Sequence, residues 1–178
     1  ELLKKAKMKN EKNVEENLIA LISKIGEKIT IRRSKFFDND GINFTYVHNS
    51  VDKNIGKVIS VVKIEKNKKD LKEVGTKLAM HIAAQAPISI DESGIKKDIL
   101  DKELEIIREE LKNSGKNEQM IEKISNGKIK KYISDNTLLN QIWIMDTKLK
   151  VSQVLKQFSG EKNIKILDFL RYKVGEGI

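Results

Sequence analysis

Between residues 28 and 64 the apolar residues of this 178-residue chain tend to fall on every second position, while before and after that stretch they recur every three or four. A period of two places alternate side chains on opposite faces of a strand, and a period near 3.6 draws one stripe along a helix. A chain that switches between the two packs helices against a sheet, which is an α+β arrangement. The segment KITIRRSKFF alternates at Ile29 and Ile31 and predicts a strand. DNDG, residues 38–41, is a turn cluster. INFTYVH alternates through Ile42, Phe44, Tyr46 and His48, and IGKVISVVKI follows the turn NSVDKN. Three strands with short turns predict an antiparallel meander.

Helices flank this stretch. Residues 1–24 carry an apolar stripe of Leu18, Leu21, Ile22 and Ile25, with Gly26 as a stop. Residues 70–86 form a second helix whose stripe is Leu71, Val74, Leu78, Ala79, Ile82 and Ala83, and Pro87, the only proline, closes it. Ile99, Leu100, Leu104, Ile107 and Leu111, then Met120, Ile121, Ile124 and Ile133, predict two antiparallel helices turning at Ser114-Gly115. Asn126-Gly127 is a weak point where the second of them is expected to break. LLNQIWIMD is a short apolar segment holding the sole Trp, KVSQVLKQF a short helix, and KILDFLRYKVGEG a last strand of imperfect phase. The expected whole is two small antiparallel-sheet subdomains with packed helices and a protruding helical hairpin.

Several function classes find no support in the residues. Cysteine is absent, so disulfides, thiol chemistry and Cys-ligated zinc are excluded. Two histidines without helical pairing do not make a zinc site, and no metal is expected. DNDG lacks the later ligands and closing Glu of a calcium loop. There is no G-x-S-x-G elbow and no phosphate-binding glycine loop, so no catalytic residue and no cofactor is expected. No apolar run approaches the about 18 residues of a membrane span. The net charge of +9 invites nucleic acid, but Arg stands only at positions 32, 33, 108 and 171 and the lysines are mixed with glutamates. A basic RNA- or ribosome-associated domain therefore stands as the alternative reading.

His81 is the residue of interest, in TKLAMHIAAQAP. At 100° per residue it lies on the shoulder of its helix, about 100° from the centre of the stripe, beside small alanines that let another surface approach. A half-buried core-edge histidine is the structural alternative.

LISKIGEKITIRR, YVH, LAMHIAAQAP, GKIKKYISDNTLLNQIWIMD and FLRYKVGEGI, in this order and spacing, resemble the core of the bacterial elongation factor Ts family. The resemblance implies a guanine nucleotide exchange factor for the GTPase elongation factor Tu, soluble in the cytoplasm, that meets nucleic acid only indirectly. It implies an N-terminal helix over residues 1–21, a first core subdomain over 22–86, and a second over 87–178 with the hairpin at 98–134. It carries His81, and the Ile55-Gly56 step, over as contacts to the GTPase domain. It implies a homodimer contact through the hairpin at Leu104, Ile106 or Met120. The family's Thr-Asp-Phe-Val segment and its ubiquitin-associated-type domain are not in these residues. The expectation is therefore a truncated chain that binds the GTPase weakly and exchanges poorly. His81→Ala is expected to leave the fold nearly intact but to slow nucleotide release in a full-length version.

Overall fold

Asn13, and not the first residue, starts the first helix. In the computed structural model, which describes residues 3–66, 70–159 and 164–177, α1 spans Val14–Ile25. The Asn13 side chain accepts from Glu16 N at 2.8 Å, and the Glu16 carboxylate accepts from Asn13 N at 2.8 Å. This reciprocal pair satisfies two orphan donors and fixes the start, so the helix does not extend back through the lysine-rich beginning. Gly26 ends it in the left-handed conformation, at φ 74°. None of the helix's residues is buried. The chain separates into two compact units, Glu1–Phe37 and Asp38–Ile178.

The second unit is built on one antiparallel sheet in the order β1-β2-β3. The strands are β1 (Gly41–Asp52), β2 (Ile55–Glu65) and β3 (Ile166–Lys173). Two expectations change here. The segment KITIRRSKFF is not a strand, and the third strand comes from the far end of the chain. The alternation in that segment lasts for two isoleucines and then meets Arg33 and Lys35 on the same parity, too short a run to define a buried face. In place of a sheet in each half, the described residues hold a single sheet to which both halves contribute. The imperfect phase of β3 also has a cause. Ile64 pairs with Ile166 but Lys63 pairs with Asp168, so Leu167 is an extra residue. That bulge lets Ile166 and Phe169, three apart, both face the core.

Helix α2 (Lys72–Gln85) covers one face of the sheet. Its Val74, Leu78, Ala79 and Ile82 pack with Val62 and Ile64 of β2 in the main core. Gly75 permits the close approach, because a Cβ there would collide with the ring of Phe44 on β1. Ser60 of β2 donates to the carbonyl of Ala79 at 2.6 Å, and Arg171 of β3 donates to that of Ala83 at 2.9 Å. On β2, Lys63 reaches the turn before β1, pairing with Asp38 and, at 2.5 Å, with Asp40. The carboxylates of DNDG are thus committed to a lysine.

α3 (Lys97–Asn113) and α4 (Glu118–Asn136) pack on each other through Ile107, Leu111 and Ile121, a small core of their own. α4 runs unbroken through Asn126-Gly127. Glycine in a helix interior costs about 1 kcal/mol, which Ile121, Ile124 and Ile129 packing on either side of it offset. α5 (Val151–Ser159) returns Val151, Val154 and Leu155 to the main core, where Leu138 and Trp143 also sit.

Candidate functional site

The wheel position of His81 underestimates its burial. The residue is 0% exposed. A helical wheel registers one buried face, but α2 has two covers. The sheet lies on one side, and the segment that follows α4 closes over the shoulder. Gln141 and Trp143 come from that segment, and both are nearly fully buried.

The imidazole stacks on the Trp143 indole, with centroids 5.2 Å apart and planes inclined by 19°. Its Nε2 lies 3.0 Å from Oε1 of Gln141. The amide nitrogen of Gln141 donates to the carbonyls of Gln85 at 3.2 Å and Asp135 at 2.7 Å. These are last-turn carbonyls of α2 and α4, groups a helix leaves without an internal partner. The Nδ1 of His81 is buried and has no hydrogen-bond partner.

Trp143 is held by its own loop. Its backbone N–H donates to Leu149 O at 2.8 Å, and Val151 N donates to Gln141 O at 3.0 Å, closing a narrow loop that turns at Asp146. Gln141 and Trp143 point inward with Ile142 exposed between them, and Met145, beyond the alternating stretch, is exposed as well. Beside it lies a groove of about 540 Å³ lined by Met80, Ala83, Ala84, Ile144 and Met145, with Lys57 and Lys173 among its basic members. A smaller depression of about 410 Å³ includes Gln85, Asp135 and Gln141.

Burial lowers the His81 pKa from its ordinary 6.5, and the hydrogen bond to Gln141 opposes this only in part. The unfolded chain therefore takes up the proton at a higher pH than the folded chain. Stability from this residue is complete above about 6.5 and declines as pH falls from there toward the folded-state pKa. Urea midpoints are expected to drop on going from neutral to mildly acidic buffer, and His81→Gln is expected to show a smaller drop.

The other residues singled out in the sequence lie elsewhere. Ile55 is 57% exposed, where β2 leaves the hairpin turn. Gly56 follows it, and a Cβ there would stand 2.7 Å from the carbonyl oxygen of His48 and 2.5 Å from Val47 Cγ1. The bulge between Ser50 and Asp52 brings the two backbones this close, so only glycine fits. The next residues, Lys57 and Val58, enter the groove that Met80 lines, so Ile55-Gly56 and the α2 segment around His81 border the same region. Ile106 and Met120 are exposed on the helix pair and Leu104 is half-buried there. Sequence reasoning missed Gln141 and Trp143. The only signal was a rare Trp in an otherwise aliphatic segment, and nothing local ties it to a helix 60 residues away. Among the described residues no three His, Asp or Glu side chains converge to hold a metal ion, and no helix is long and apolar enough to cross a membrane.

The chain matches the family model for elongation factor TS over residues 1–176. It is 38% identical over 184 residues to elongation factor Ts of Rickettsia bellii, covering 100% of this chain and 60% of that protein. Against elongation factor Ts of Rickettsia felis the identity is 38%, over 99% of this chain and 59% of the relative. The chain thus spans about three fifths of the length of the curated relatives it matches. With a match running through residues 1–176 and a likeness along its whole length, the chain belongs to the elongation factor Ts family.

Proposed function

We propose that this chain serves as a guanine nucleotide exchange factor for elongation factor Tu, working in the cytoplasm by binding that GTPase and loosening its hold on GDP. The observation that carries the reading is membership of the elongation factor Ts family across almost all of its residues. The chain makes and breaks no covalent bond in this role, and it meets nucleic acid only through its partner.

The physics is linkage. A protein that prefers the empty GTPase to the GDP-bound form must weaken GDP binding by the same factor. Each tenfold takes about 1.4 kcal/mol of differential contact. Ile55, Gly56 and the side of α2 where half-buried Met80 and exposed Ala84 lie form the surface offered to the GTPase domain. His81 serves it from beneath. The groove supports this reading: its apolar floor is bordered by Lys57 and Lys173, which suits a partner segment that is apolar with acidic flanks. Through Ile106 and Met120, with Leu104 behind them, the helix pair offers a second surface, and we assign to it a homodimer contact.

The test is co-elution in gel filtration. At concentrations high enough to hold the weak complex expected of it, this chain is expected to travel with nucleotide-free elongation factor Tu and to be released by excess GDP. Failure to bind the empty GTPase, together with salt-sensitive binding to bulk RNA, would favour an RNA-associated domain instead.

A further inference from the structure

We propose that Gln141 is a positioning residue of the partner-binding surface. It fixes the imidazole of His81 as the Nε2–H tautomer, stacked on Trp143, and through that stack sets the stance of residues 142–145. The binding consequence rests on the exchange-factor reading above, while the tautomer follows from geometry alone.

Backbone carbonyls only accept hydrogen bonds. One terminal atom of the Gln141 side chain lies within bonding distance of two of them, Gln85 O and Asp135 O. That atom must be the amide nitrogen, since an oxygen there would face two acceptors. The orientation of this amide is therefore dictated by chemistry and not by a choice between two similar atoms. The other terminal atom is then the oxygen, and it faces His81 Nε2 at 3.0 Å. An oxygen facing the ring requires a ring N–H. So Nε2 carries the proton, and Nδ1, buried without a partner, keeps its lone pair.

This arrangement joins three pieces of chain that are distant in sequence. Gln141 ties the end of α2 to the end of α4, and His81 takes the third position on the same amide. The ring so oriented lies 5.2 Å from the indole of Trp143 with nearly parallel planes. Trp143 is flanked by Ile142 and Ile144, and with Met145 these residues form the outward side of the loop. Ile144 and Met145 line the groove, and Met80 beside His81 lines it too. A buried histidine with no exposed atom thus acts on the surface by holding the loop in register with α2.

The tautomer is read by long-range proton–nitrogen correlation on the chain labelled with ¹⁵N-histidine. His48 is the only other histidine, and a His48→Gln sample assigns the signals. Around neutral pH the nitrogen coupled to both ring protons, Nε2, is expected to be pyrrole-type and Nδ1 pyridine-type. The opposite pattern, or an averaged pair, overturns the proposal even if every variant fails to fold. In Gln141→Leu the lock is expected to be lost. Affinity for nucleotide-free elongation factor Tu is expected to fall about tenfold, equivalent to about 1.4 kcal/mol. A glutamine that merely capped two helices would leave the ring tautomer of that variant unchanged, which counts against the proposal. So does a variant with the tautomer lost and the affinity intact. If the unmodified chain binds no GTPase, the exchange-factor reading falls and takes the binding half of the proposal with it. The spectrum then still decides the tautomer half.

Discussion

His81→Ala is expected to destabilise the chain by about 2–3 kcal/mol, read as a lowered urea midpoint at neutral pH. Several effects of known size compete. Losing the stack on Trp143 removes about 0.5–1.5 kcal/mol. Stranding the Gln141 oxygen in the core costs about 1–3 kcal/mol, because that atom was desolvated for the sake of the ring. The cavity left by a fully buried imidazole adds to both. Removing Nδ1, which was buried without a partner, gives part of this back. The balance is a clear loss, against the near-neutral outcome that a shoulder position suggests. His81→Gln keeps a donor near the Gln141 oxygen and is expected to lose less. A midpoint for His81→Ala within a few tenths of a kcal/mol of the parent would mean that the ring contributes little to the core.

Trp143→Ala is expected to have the larger effect, about 3–5 kcal/mol, the range for truncating a large buried aromatic. Trp143 belongs to the main core with Leu138, Val151 and Val154. Its removal therefore frees the loop on one side and hollows the core on the other. Because His81 and Trp143 touch, their effects should not add. The double variant is expected to lose less than the sum of the two single losses, by about the 0.5–1.5 kcal/mol of the stack. Simple additivity would mean that the two rings are neighbours without being energetically coupled. Since this is the only tryptophan of the chain, its fluorescence in the parent reports on the same contact. An emission shift on acidification that is absent from His81→Gln would follow protonation of the ring it stacks on.

The sequence revealed those elements whose signals are local. β1 and β2 were legible because a strand buried on one face alternates over many residues, and turn residues bound both. α2 was legible because its stripe is long and Pro87 cannot continue it. The helix pair was legible because Ser114-Gly115 divides two periodic runs. What stayed hidden depends on partners distant in sequence. The pairing of β3 with β2 joins residues more than 100 apart, and the bulge at Leu167 blurs the alternation that would identify its inner face. The isoleucines at 29 and 31 imitate a strand over too short a run. At the site, Ile55 and Gly56 could be placed at a hairpin end by eye. The burial of His81 could not, because the wheel sees α2 and the sheet but not the segment carrying Gln141 and Trp143. Family likeness singled out His81, and the structure supplied the two residues that hold its ring.

An exchange factor must prefer the empty form of its GTPase to the GDP-bound form. The most direct test is calorimetric titration into elongation factor Tu, once stripped of nucleotide and once loaded with GDP. If this chain is such a factor, binding is tighter to the stripped form, and GDP affinity in the complex is weakened by the same ratio as separates the two titrations. Equal affinity for the two forms, or binding to neither, would contradict it.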